Sequence, residues 1–205
     1  MDNNTKFTWS ESFAFCSAPK DEVERSWQNR FIMEVESEST RGSVLTIVSF
    51  IDELLIKLLS SYFPNKEHAG KLLGDLDGCL SSLMHRANIA FSLSLLRESE
   101  FKAIKILARI RNEFAHKWDG AMFENDAMSK LIKSFPSIYF IKIEGSNKAK
   151  FNRVASNIVQ ELLDRSDYAT RLCKLLPSQY RSILDLSAEE RIKIIEKERG
   201  ISRSE

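Results

Sequence analysis

The chain has 205 residues, 43% hydrophobic and 29% charged, with seven Gly and four Pro, the make-up of one helix-rich globular domain with appendages rather than two independent domains. Thirty basic residues against 29 acidic ones leave a formal charge of +1, so no overall field draws the protein to nucleic acid, although a local patch remains open. No apolar run reaches the roughly 18 residues that a membrane span needs, which excludes a membrane-spanning helix.

The start of the chain lacks a basic stretch followed by an apolar one, and the three cysteines, Cys16, Cys79 and Cys173, are distant from each other and odd in number. Together these predict a cytoplasmic protein with buried or idle thiols. His68, His85 and His116 stand at no metal spacing, and there is no glycine-rich phosphate loop or Gly-x-Ser-x-Gly elbow, so no metal or cofactor is expected.

Residues 1–19 carry Phe7, Trp9, Phe13 and Phe15 among Asn, Ser and Thr without a sustained period; they read as an arm that packs its aromatics on the body or offers them to a partner. From Lys20 to Glu36, Val23, Trp27, Phe31 and Ile32 mark an amphipathic helix entered through Pro19, with Trp27 as its anchor. Residues 39–63 are apolar over most of the helical wheel, leaving Thr46, Ser49, Glu53, Lys57 and Ser60 as a narrow polar stripe, and so predict a central helix. Asp52 stands at the margin of its apolar face.

Pro64-Asn65 stops that helix. A short one follows through Glu67 to Leu73, and Gly74-Asp75-Leu76-Asp77-Gly78 turns the chain; its acids lack the spacing of a calcium loop and read as helix caps. Leu80 to Leu96 is helical, with small residues that allow close packing, and His85 and Arg86 are expected at the surface.

Arg97-Glu98-Ser99-Glu100 opens the next helix, and Asp119-Gly120 ends it. Within it, Ile104, Leu107, Ala108, Ile110, Phe114, Ala115 and Trp118 share one arc, while Lys105, Arg109, Asn112 and His116 gather opposite, with Glu113 beside them. Arg111 falls inside the apolar arc, which predicts a buried guanidinium paired with an acid of the central helix, Asp52 first and Glu53 second. His116, in the last turn, fits a histidine held by helix carbonyls.

Residues 125–135 form a short helix closed by Pro136, and Ser137 to Ile143 is the one β-like run, read as extended chain because no second strand is evident. From Lys148 to about Leu175, Phe151, Val154, Ile158, Leu162 and Tyr168 mark a long helix. Beyond Pro177 a small helix precedes Ser187-Ala188-Glu189-Glu190, a capping-box start to a charged helix. The expected architecture is an all-α multihelical bundle around one long apolar helix, with an arm over residues 1–19, a body over 20–176 and a helical extension over 177–205.

Between about Glu36 and Lys133 the chain resembles the mannitol operon repressor family of bacterial proteins. The resemblance is carried by Arg41-Gly42 leading into Val48-Ser49-Phe50-Ile51-Asp52-Glu53-Leu54-Leu55, by the small-residue helix from Arg86 to Leu96, and by Ala108-Arg109-Ile110-Arg111-Asn112-Glu113-Phe114-Ala115-His116 after Glu98-x-Glu100-Phe101. It implies a multihelical regulator of operon expression. No helix-turn-helix is recognisable, so such a regulator is expected to act through protein partners, a homodimer among them, rather than by sequence-specific reading of DNA.

Arg111 followed by Asn112 and, after four intervening residues, by His116 is also similar to the Arg-x4-6-His motif of HEPN domains, many of which are metal-independent ribonucleases in toxin or defence systems. That resemblance implies RNA as substrate, an imidazole that moves the proton of a 2′-hydroxyl or leaving oxygen, and a guanidinium that stabilises phosphorane charge. A structural arginine with a helix-end histidine accounts for the same residues without catalysis.

Overall fold

The computed structural model describes residues 7–74, 78–117, 119, 121–140, 143–172, 186–190 and 192–193. The chain divides into two units, Met1–Cys173 and Lys174–Glu205.

The first unit is built on α2 (Thr40–Tyr62), which Ser39 opens by accepting the Gly42 N–H at 3.1 Å and which ends at Phe63, ahead of Pro64. Its residues Val44, Ile47, Val48, Ile51, Leu54, Leu55, Leu58 and Leu59 are all buried. Each such aliphatic side chain stabilises the fold by about 1.5–3 kcal/mol relative to exposure. Such wide burial requires neighbours on several sides, and α2 packs against α1 (Glu22–Ser37), α3 (Lys66–Gly74), α4 (Leu83–Ser92), α5 (Glu98–His116) and α7 (Asn147–Leu172). The fold is all-helical, as the periodicity predicts; α6 (Asp126–Lys133) packs against α5 and α7. At the start of α7, Asn147 donates to the Phe123 carbonyl at 2.7 Å and to Ser129 Oγ at 2.9 Å, which ties that end to α6.

Several boundaries differ from the sequence reading. Helix α4 is shorter than the expected Leu80–Leu96: Ser82 caps its start by accepting the His85 N–H at 3.3 Å, and its end is wound off by Ser94 at φ 57°. The turn is closed by Leu95 N–H donating to the Ala90 carbonyl at 2.8 Å, so Leu95 and Leu96 reach the core from beyond the helix. Helix α5 stops at His116 rather than at Asp119-Gly120. On α1, Val23 is 76% exposed, because the helix buries only Gln28 and Val35 and leaves Trp27 half-buried. Tyr168 on α7 is likewise 52% exposed, while Phe151, Val154, Ile158 and Leu162 of its predicted face are buried.

The run from Ser137 is not extended throughout: Ser137–Phe140 makes a 3-10 turn, and Ile143–Glu144 (β2) pairs in parallel with Phe7–Thr8 (β1). The second strand that the sequence did not reveal lies in the N-terminal arm. That arm is part of the first unit. Phe13 is 2% exposed and meets Phe15 and Phe31 edge-on at 5.4 and 5.5 Å, while Phe15 meets Trp27 at 5.3 Å. Arg153 of α7 lies 4.3 Å from the Trp9 ring centroid, and Asn152 donates to the Glu11 carbonyl. An aromatic arm without local period has no secondary structure to satisfy its backbone, so it borrows donors and acceptors from α7 and β2.

In the second unit, Ser187 N–H donates to Glu190 at 2.8 Å and Glu190 N–H donates to Ser187 Oγ at 3.2 Å, the reciprocal capping box expected there. The Asp75–Asp77 turn, Trp118, Cys173 and the small helix expected after Pro177 lie outside the described residues.

Candidate functional site

Over the described C-terminal half of α5 the wheel holds for most positions, with Ala115 only half-buried. Ile104, Leu107, Ala108, Ile110 and Phe114 are buried, and Lys105, Arg109, Asn112 and His116 are exposed. Arg111 is the exception: it is exposed, not buried, and it pairs with neither Asp52 nor Glu53. Its hydrogen bond goes to its neighbour, with Nη1 donating to Asn112 Oδ1 at 3.2 Å. Beside the buried Ala108, the packing of the helices leaves open space along Arg111. A groove of about 340 Å³ opens there instead, walled by Ser49 and Asp52 of α2, Ser81 and Ser82 before α4, and Arg111 and Asn112.

Asp52 does meet an arginine, but that arginine is Arg86 of α4, which was expected at the surface and is 5% exposed. Its Nη1 donates to both Asp52 oxygens at 2.7 Å, and Nη2 donates to the Leu73 carbonyl at the end of α3 at 2.8 Å. The pair therefore joins three helices. Arg86 stands three residues after Leu83 and four before the buried Ala90, a spacing that places it on the packed face and would have found it. Glu53 is exposed.

A second buried pair went unread. Glu100, 4% exposed, accepts the Arg97 N–H at 2.7 Å and so caps α5, and it receives Arg165 of α7 at 2.5 and 2.8 Å. Arg165 also donates to Glu161 and to the Leu95 carbonyl. The Glu100 bond holds its guanidinium above the ordinary range, against the opposing effect of burial. Beside this pair, burial pushes the Tyr139 phenol up to about 12, and the Glu100 carboxylate adds to the shift. These groups have structural employment.

The exposed end of α5 has very little. His116 occupies the last turn and makes no side-chain hydrogen bond among the described residues; the cation that meets the carbonyls there is Arg41, whose Nη2 donates to the Ala115 carbonyl at 2.6 Å. Lys117 pairs with Glu113 at 2.5 Å. Lys105, Arg109 and Arg111 have no ion-pair partner among the described residues, so the exposed face of α5 carries unneutralised positive charge although the chain as a whole is nearly balanced. Beyond Asn112 a second groove, of about 480 Å³, runs between α5 and α6, lined by Arg109, Lys130 and Ser134.

Arg111 and Asn112 thus come together with Asp52 around one groove, whereas His116 is outside its lining. The two free cysteines that are described, Cys16 and Cys79, are exposed rather than buried, and neither lines the groove. Among the described residues no helix is long and apolar enough to cross a membrane. Compared with protein-family models, with curated proteins and with solved structures, the chain finds no match in any of the three.

Proposed function

We propose that the protein is a metal-independent endoribonuclease of the HEPN type, with Arg111, Asn112 and His116 as its working residues. The observation that carries this reading is the exposure of Arg111 without an acidic partner. A structural arginine would be buried and paired. Lys105 and Arg109, exposed on the same helix, add the positive field that a phosphate backbone needs.

In the proposed reaction the His116 imidazole takes the proton of a 2′-hydroxyl or returns one to the leaving 5′-oxygen. The Arg111 guanidinium meets the charge that develops on the phosphorane oxygens. Arg111 and His116 are five residues apart on one helix, so they diverge by about 140° and about 7.5 Å of rise. A second copy of the chain, presenting its own α5 end, completes the constellation.

The test is cleavage of a mixed-sequence RNA by the purified protein in excess chelator. The wild type is expected to cut, and His116→Ala and Arg111→Ala, both exposed positions that leave the core intact, are expected to lose about a hundredfold or more of the rate. No cleavage by the wild type, or full cleavage by folded His116→Ala, refutes the proposal.

A second reading is a mannitol-operon-repressor-like regulator working through protein contacts. It draws on α1, where the apolar side chains of Val23 and Met33 are 76% and 69% exposed and open to a partner. Under that reading Val23→Asp with Met33→Asp relieves repression of a reporter driven by the protein's target promoter, while His116→Ala changes nothing.

A further inference from the structure

The geometry points to the groove between α2, α4 and α5 as a nucleobase-reading pocket that selects guanine beside the phosphate held by Arg111. This inference rests on the RNA-cleaving reading above and adds to it a base preference that no part of that reading requires.

The groove's volume of about 340 Å³ lies at the small end of ligand pockets, suited to one nucleoside-sized group rather than to a folded segment. Asp52 is the one carboxylate among its described lining residues. Because Arg86 is buried and binds both Asp52 oxygens through a single nitrogen, the carboxylate is fixed in place without being used up. A carboxylate has about four lone-pair sites; two are taken, and the side chain remains 28% exposed. What Asp52 presents to the groove is therefore a rigid pair of acceptors.

Across the groove, Asn112 Oδ1 is occupied by Arg111, which leaves the Asn112 amide N–H groups as donors. Two fixed acceptors with a donor on the facing wall complement the edge of guanine, whose N1–H and N2–H are adjacent donors and whose O6 is an acceptor. Cytosine and adenine each offer a single amino donor beside an acceptor, and uracil offers one N–H between two acceptors, so each sets an acceptor against the carboxylate. Val48, Leu83 and Met84 supply the apolar wall against which a base plane rests. Arg111, at the rim and without an acid of its own, is positioned for the adjoining phosphate.

The test uses guanosine, adenosine, cytidine and uridine 3′-monophosphates, none of which has a bond to cleave, titrated into the full chain by calorimetry. Guanosine 3′-monophosphate is expected to bind at least tenfold more tightly than the other three, about 1.4 kcal/mol. Ser49→Trp fills the groove from an exposed wall position without touching the core, and it is expected to weaken that binding at least tenfold. Asp52→Asn is expected to abolish the preference for guanine while weaker, unselective binding persists. If Asp52→Asn fails to fold for want of a charge opposite Arg86, the base series and Ser49→Trp still decide.

Equal binding of all four nucleotides, or guanosine 3′-monophosphate binding unaffected by Ser49→Trp, overturns the inference. So does an absence of binding in a protein that cleaves RNA, and that outcome leaves the ribonuclease reading standing. Selective guanosine 3′-monophosphate binding by a protein that cleaves no RNA supports the pocket and removes the cleavage.

Discussion

Replacing Arg86 by Met keeps most of the side-chain volume and removes the charge, so it isolates what the Arg86–Asp52 pair contributes. Two things are lost. Asp52 gives up its ion pair with Arg86, and the Leu73 carbonyl gives up the 2.8 Å bond from Nη2. Breaking a buried pair from one side costs about 3–5 kcal/mol, because the surviving charge is left uncompensated. Asp52 keeps 28% of its side chain exposed to the groove, so water recovers part of that loss and the expected cost is near 3 kcal/mol. Set against a total of about 5–15 kcal/mol for a domain, that is a large fraction. Arg111→Ala removes an exposed side chain and is expected to cost less than about 0.5 kcal/mol. Removing both charges, with Arg86→Met and Asp52→Leu together, is expected to recover stability to within about 1 kcal/mol of the wild type. Urea denaturation followed by helical circular dichroism measures all four proteins, and the comparison requires similar m-values. A cost below 1 kcal/mol for Arg86→Met, or a larger cost for Arg111→Ala than for Arg86→Met, would refute the assignment of the buried pair.

Phe13→Ala should destabilise the first unit by about 3–5 kcal/mol, since it empties the place of a ring that is 2% exposed and holds the arm against Phe31; a loss below 1 kcal/mol in the same denaturation assay would mean that the arm is not part of the core. Arg41→Ala should cost about 1 kcal/mol by removing the cation that meets the Ala115 carbonyl at the α5 end, and native-state amide exchange should show faster opening of the last turn of α5 than of its middle. Tyr139 ionises at about 12, above its unfolded value, so its contribution to stability is fully present below about pH 10 and is lost as the pH rises from there to about 12. In an absorbance titration at phenolate wavelengths, a late step should therefore appear in the folded protein, and Tyr139→Phe should remove it.

What the chain order alone determined is everything that depends on local pattern. The 3.6-residue period of α2, α5 and α7, the Pro64 stop and the Ser187–Glu190 box are each written within a few residues, and each helix stands where those signals put it, within a few residues at its ends. The exposed row Lys105, Arg109, Asn112 and His116 was legible for the same reason. What only the tertiary structure decided is what covers each face. A wheel shows that Arg111 points along an apolar arc, but not that the packing leaves a groove beside it. Nor does it show that α4 and the end of α3 converge on Asp52 closely enough for Arg86 to serve it and the Leu73 carbonyl at once. The pairing of Phe7–Thr8 with Ile143–Glu144 is beyond local reading altogether, because two-residue strands far apart in the chain are set by where α7 and the arm come to rest. The functional reading turned on that difference: the sequence alone put Arg111 in the core and Arg86 at the surface, and the packing reversed the two.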